Sequence, residues 1–255
     1  MASMRGFRAL LAVLELQFQP LDTVAGIAAF TQGYLRRSCS GWHGDPSPVV
    51  AGSAEQFYDQ LWETAVDRLH EQAHAIGADG VIGVGVMEGP LDVGWQLQLI
   101  GTAFRLRSLA EHLPTPFISA LPLGDFLTLL AAGWAPSGLA WGNAAVHVHG
   151  PAMSASWQGV QWQNAEMTEA TDAVNTARAR AELDVRSTLR KGHADGAVGM
   201  TVNITRHAQA CYGNRGQSST GMLVRAQALG TGVVRYRDNA LDITPSRRLS
   251  VERAQ

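Results

Sequence analysis

The segment His70-Glu71-Gln72-Ala73-His74 carries the spacing of a zinc-hydrolase helix. Histidines at i and i+4 share one helical face and can hold Zn²⁺ together, while the glutamate between them polarises a bound water. That chemistry needs a third ligand. An extended form of the motif would place another histidine at position 80, which is Gly80, and Glu88 follows a segment that reads as a strand and not as a second helix. Counted from Leu69 at about 100° per residue, His70 lies at about 100° and His74 at about 140° around the helix, so both occupy a flank facing solvent or a neighbouring subunit. A metal site between subunits uses that flank as readily as a hydrolase does, and two plain surface histidines need neither.

Three further donor sets are present. His147-Val148-His149 alternates along a strand, which points both imidazoles to one face, with Asn143 on the same parity. His207 and Cys211 stand four apart in the polar segment 203–221, read here as a mobile loop, where the soft sulfur suits a thiophilic metal. Cys39 and His43 repeat the spacing in reverse order. None of these sets holds more than two ligands. A transition-metal ion is thus the one cofactor the donor types suggest, and none is required. The glycines Gly77, Gly80, Gly83 and Gly85 follow a helix and open a strand, the reverse of a dinucleotide fingerprint, and there is no Walker motif or Gly-x-Ser-x-Gly elbow.

The elements that must position these residues come as an internal repeat. Ala78-Asp79-Gly80 with Gly83 and Val86 recurs 116 residues later as Ala194-Asp195-Gly196 with Gly199 and Val202, and Pro20 and Gly26 fall on Pro136 and Gly142 at the same offset. Gly101-Thr102 matches Gly230-Thr231 at an offset of 129, so the second copy holds 13 extra residues in segment 203–221. Before each Ala-Asp-Gly runs a long helix. Tyr58, Trp62, Ala65, Leu69, Ala73 and Ile76 make one apolar stripe in the first copy; Val174, Ala181, Val185 and Leu189 follow it in the second. Gly77 reads as a left-handed helix cap. Asp79-Gly80 and Asp195-Gly196 read as structural turns, with the aspartate bonding locally and the glycine free to take positive φ. Residues 80–86, 95–106 and 222–236 read as strands, and a short helix precedes each copy, ending near Phe18 or Trp134.

Composition bounds the partners. Hydrophobic residues make up 46% of the 255 and charged residues 16%, well under the usual quarter, which favours a self-associating chain. A net charge of -2 with scattered Lys and Arg gives no footprint for nucleic acid or an anionic membrane. Two distant cysteines fit a reducing compartment, and the apolar run 9–14 is cut by Glu15 before it reaches the length of a signal or a membrane span. A cytoplasmic protein is expected.

The assembled motifs resemble those of the YbjQ family, a heavy-metal-binding domain family by label. The first copy carries Gly77-Ala78-Asp79-Gly80-Val81-Ile82-Gly83-Val84 and Ile100-Gly101-Thr102-Ala103. The second carries Ala194-Asp195-Gly196-Ala197-Val198-Gly199 and Leu229-Gly230-Thr231-Gly232, opened by Leu123-Gly124-Asp125-Phe126 through Trp134 to Asn143. Leu21-Asp22-Thr23 replaces the family's Trp-x-Pro-x-Gly-Leu opening in the first copy, and Gly192-His193 replaces the usual small pair in the second. The resemblance implies an α+β fold of two tandem dodecin-like domains, each a long helix on a small antiparallel sheet, assembling with itself into rings, usually of five, without enzymatic activity.

The expected organisation is repeat 1 over 1–110, a proline-containing linker over 111–121, repeat 2 over 122–240 and a tail over 241–255. The expected function is a non-catalytic ring-forming protein that takes a metal ion or small ligand at subunit or repeat interfaces. Two alternatives stand beside it: a zinc hydrolase using His70, Glu71 and His74, and a structural scaffold that recruits other proteins.

Overall fold

A computed structural model of the chain describes residues 18–31, 48–107, 113–149, 166–212 and 218–235. Strands β1 (Phe18–Thr31), β3 (Gly80–Leu91), β4 (Gly94–Leu106) and β5 (Phe117–Ile118) form one sheet in the order β1-β4-β3-β5. Strands β2 (Val49–Val50), β6 (Trp134–Val148), β7 (Gly196–Tyr212) and β8 (Ser218–Arg235) form a second in the order β2-β6-β8-β7. Helices α1 (Gly52–Ala75), α2 (Leu123–Ala131) and α3 (Thr168–Lys191) complete the described residues, and the class is α+β. The short helix expected before Phe18, the Cys39 and His43 pair and the tail over 241–255 lie outside them.

The repeat read from sequence recurs as geometry. The order β1-β4-β3 is matched by β6-β8-β7. Bulges fall at equivalent places, Pro20/Asp22 with Pro136/Gly138 and Ile82/Gly85 with Val198/Thr201. The second pair of bulges turns on Gly83 and Gly199, both at φ 63, a left-handed conformation that glycine takes without a Cβ penalty. Asp79 and Asp195 also behave alike, and both reach beyond the turn. Asp79 accepts from the backbone N–H groups of Leu106 at 2.7 Å and Leu113 at 3.1 Å, and Asp195 accepts from Arg235 at 3.0 Å. Each carboxylate thus ties the end of the long helix to the last strand of its sheet. Gly80 and Gly196 are not among the positive-φ glycines. Gly80 is small because the Phe117 ring would sit 2.6 Å from a Cβ.

The left-handed residue after α1 is Gly77 at φ 65, as its cap position predicts, and its counterpart after α3 is His193 at φ 51. Holding a side chain there costs about 1–2 kcal/mol. Replacing His193 with glycine is expected to raise stability by about 0.5–1 kcal/mol, the relief being partly offset by glycine's larger chain entropy in the unfolded state. Urea midpoints of the two proteins test this; a lower midpoint for the glycine variant contradicts it.

Helix α1 buries more than the single stripe read from sequence. Ile76 leaves the core, 38% exposed as the C-cap, whereas Ala54, Phe57 and Leu61 enter it beside Tyr58, Trp62, Ala65, Leu69 and Ala73. Phe57 and Leu61 lie about 120° and 80° to one side of Leu69, so the apolar surface is wider than one sheet requires. The width has a cause. One side of α1 packs on β1 and β4, where the edge of β1 is capped by Gln72 accepting from Ala25 N–H at 2.8 Å and Arg68 donating to the Ile27 carbonyl. The other side reaches the second sheet, where Trp62 stacks on Trp141 with ring centroids 5.5 Å apart. Burial of each such large side chain contributes about 1.5–3 kcal/mol.

Helix α3 buries only Ala173, Ala177, Ala181 and Val185, against the opposite face of the second sheet. That sheet is therefore covered on both faces. The covers interlock: β2 precedes α1 in the chain yet pairs with β6, and Ser119 and Ala120, placed by sequence in the linker, bond to Thr231 of β8 at 3.1 and 2.9 Å. Segment 117–118 itself supplies β5, parallel to β3.

Candidate functional site

The face of the second sheet that meets α1 is built from alternating residues: Asn143, Ala145 and His147 on β6, Leu223, Arg225 and Gln227 on β8, and Asn203, Thr205 and His207 on β7. Ala145 and Leu223 join the same core cluster as the apolar residues of α1. Arg225 is the exception in an apolar run, and it is 1% exposed.

The two terminal nitrogens of its guanidinium find partners at the seam. Nη1 donates to both carboxylate oxygens of Glu88 at 2.7 Å, Nη2 donates to Asn143 Oδ1 at 3.3 Å, and the plane lies 3.6 Å from the centre of the Tyr58 ring. Gln227 reaches the same Glu88 at 3.5 Å. Burial raises the Tyr58 phenol above its ordinary range, opposed by the positive Arg225. Beside this pair, the Trp95 ring meets the His207 ring edge-on at 5.5 Å, and Trp95 Nε1, Trp62 Nε1, His207 Nε2 and Arg225 Nε are buried with no hydrogen-bond partner. Such orphan donors each cost about 1–3 kcal/mol. A charge pair held this tightly sets the register of the two halves.

A cleft of about 280 Å³ opens next to it, between α1 and α3, lined by Glu55, Asp59, Asn143, Arg180 and Asp184 among others. Arg180 forks onto Glu55 with two bonds of 2.9 Å. Asp59 accepts from Asn143 Nδ2 at 3.2 Å, and burial, with Asp184 nearby, pushes its carboxyl up to about 6. A second cleft of about 360 Å³ lies between β3 and β7, with Glu88, Asn203 and Gln227 on its walls.

Among the described residues the histidines do not converge on a metal centre. His70 is half-buried, its Nδ1 without a partner and its other ring nitrogen donating to the Pro116 carbonyl, and burial lowers its pKa; His74 is exposed in the last turn of α1. The two do not share one environment, and Glu71 is exposed. His207 sits in β7 rather than in a mobile loop, because β7 and β8 continue their pairing out to Tyr212 and Ser218. Cys211 lies on that strand, and its side chain is outside the described residues. Among the described residues no group of three or more His, Cys, Asp or Glu side chains is placed to hold a metal ion. The three-ligand requirement of a zinc hydrolase is unmet there.

His147 and His149 do share a face, as their alternation predicts, with ring centroids 4.7 Å apart, but they are buried at 2% and 6% exposure rather than turned to solvent. Burial, with the neighbouring His149, pushes His147 down to about 4. The unfolded chain, whose histidines titrate near 6.5, then binds a proton that the folded chain refuses between pH 6.5 and 4. Stability therefore falls as pH drops through that window, by roughly 2 kcal/mol at pH 5. His147→Phe is expected to flatten the decline in urea midpoint between pH 7 and pH 5; an unchanged slope rules His147 out as its source.

Asn143 was marked in the sequence by strand parity, and the structure gives it partners on both sides of the seam. Arg225, Glu88 and the Glu55–Arg180 pair carry no spacing signal, and the spacing of Tyr58 marks it only as part of the apolar stripe of α1. The one local clue is a charge inside the apolar run Met222-Leu223-Val224-Arg225-Ala226.

No family model matches the chain, and no solved structure does. Among curated proteins, the chain is 27% identical over 198 residues to an encapsulin nanocompartment protein of Mycobacterium tuberculosis, a match that covers 75% of this chain and 73% of the relative.

Proposed function

We propose that the chain is a non-catalytic, self-assembling protein made of two tandem dodecin-like units of the YbjQ type, which closes into a cytoplasmic ring. The observation that carries this reading is the packing of α1 from the first half onto the sheet of the second. It is a head-to-tail contact between repeated parts, and contacts of that kind propagate until they close. The encapsulin name of the Mycobacterium relative supports assembly over catalysis, and so does the charge pair at the seam, which holds parts in register. No helix among the described residues is long and apolar enough to cross a membrane. The two clefts at the seam are the places for a small ligand. The histidine pairs, with two donors each, are not part of the proposal.

A chain of two units sets the arithmetic of the ring. The number of units must be even, so the five-fold ring implied by the family resemblance becomes five chains. Native mass spectrometry and light scattering at micromolar concentration should report a single closed multiple of the 27.3 kDa chain. A stable monomer at all concentrations would sink the reading.

A further inference from the structure

The first sheet has a face that repeats, position for position, the face of the second sheet that α1 covers. Ala25, Ile27 and Ala29 of β1 stand where Trp141, Asn143 and Ala145 stand on β6, and Gln96 and Gln98 of β4 stand where Arg225 and Gln227 stand on β8. Helix α2 closes one end of this face over Phe18, Ile82 and Phe104. Beyond that end the described residues leave it open, with Ile27 46% and Met87 55% exposed. The open part of β1 and β4 carries no charged side chain from Thr23 to Ala29 or from Gln96 to Thr102. Solvent-facing sheet surfaces are normally polar and often charged, whereas the centres of interfaces are depleted in charge.

The surface that would fit it is also within the chain. Onto the second sheet fall Tyr58, Asp59 and Trp62 of α1 and Glu88 of β3; at the 116-residue offset their counterparts are Val174, Asn175 and Arg178 of α3 and Ile204 of β7. Next to Ile204 on the same strand, Val202 is 38% exposed. The substitutions are coupled across the contact. The internal seam opposes Glu88 to Arg225, and the corresponding pair would be Ile204 against Gln96, in which both charges are absent together. Had only one of them been lost, the repeat contact would bury an unpaired ion. Likewise the Trp62–Trp141 stack becomes a long Arg178 against a small Ala25.

We infer that the open face of the first sheet is the seat for a second copy of this chain, which lays α3 and the Val202–Ile204 edge of β7 on it in the register by which α1 and β3 lie on the second sheet. This rests on the assembly reading and specifies its contact.

The test uses the full chain with Cys39→Ser and Cys211→Ser. One preparation carries Ala25→Cys and another Arg178→Cys, and a short bismaleimide is added to each alone and to the mixture. Cross-linked two-chain product is expected in the mixture at least tenfold above either preparation alone. In parallel, Ile27→Asp with Met87→Asp should reduce the assembly to single chains while circular dichroism and the urea midpoint stay within the range of the parent. An assembly that persists in this variant, with no excess cross-link in the mixture, overturns the proposed contact and leaves self-assembly standing. A parent chain that is monomeric throughout overturns both.

Discussion

Replacing Arg225 with methionine is expected to destabilise the chain by about 3 kcal/mol, the low end for a broken buried pair, because it leaves the partly buried Glu88 at the seam without its counter-charge. The loss has little to do with the strength of the pair. Two charges withdrawn from water break even at best, and a well-packed apolar pair in their place is often neutral or stabilising. The companion variant Glu88→Met should cost a similar amount, since it strands a guanidinium that is 1% exposed. The double variant should then recover most of the loss, giving a coupling of several kcal/mol where independent sites would add. Urea or guanidinium midpoints of the four proteins close this cycle. Additive losses would mean that Arg225 acts through Tyr58 and Asn143 and not through Glu88.

A second large effect is expected from the smallest change. At Gly26 a Cβ would fall on the carbonyl oxygen of Ala65 and 2.8 Å from the amide nitrogen of Leu69; at Gly142 it would fall on the carbonyl of Ala181 and 2.6 Å from the amide nitrogen of Val185. In both halves the strand touches the backbone of its own helix, so nothing soft can yield. Gly26→Ala and Gly142→Ala are each expected to cost about 3 kcal/mol or more, at the upper end of overpacking penalties. Gly89→Ala, where nothing lies within 4 Å, is the control and should stay within about 0.5 kcal/mol. Thermal unfolding of the three variants decides it, and a near-neutral Gly142→Ala would show that α3 does not lie against β6 as described.

These two glycines also show why the repeat was legible. The offset of 116 survives at positions where backbone touches backbone or where a carboxylate must accept an amide, as at Asp79 and Asp195, because no other side chain meets those constraints. The apolar patterning placed both long helices and the strands β3, β4 and β8 for a similar reason: each element buries one face against its own half. It failed where an element serves two masters. Phe57 and Leu61 escaped a one-stripe reading of α1, since that helix is apolar on two sides. The seam was illegible because Arg225 and Glu88 lie 137 residues apart and follow no period. Segment 203–221 misled through its composition. Polar side chains on both faces of a hairpin look like a loop, yet the ladder runs on from Asn203 to Tyr212 regardless.

The sandwiching of α1 between two sheets also bears on how the chain comes apart. In a string of independent domains, the less stable one melts first and leaves its neighbour intact. Here the removal of α1 would strip the first sheet of its core and at once uncover Trp141, His147 and Arg225 on the second. The second half would keep only the alanine- and valine-rich core beneath α3, with its other face stripped, so the two halves are expected to share one cooperative unit. Heating should give a single calorimetric transition whose calorimetric and van't Hoff enthalpies agree per chain, despite a sequence that reads as two copies of one domain.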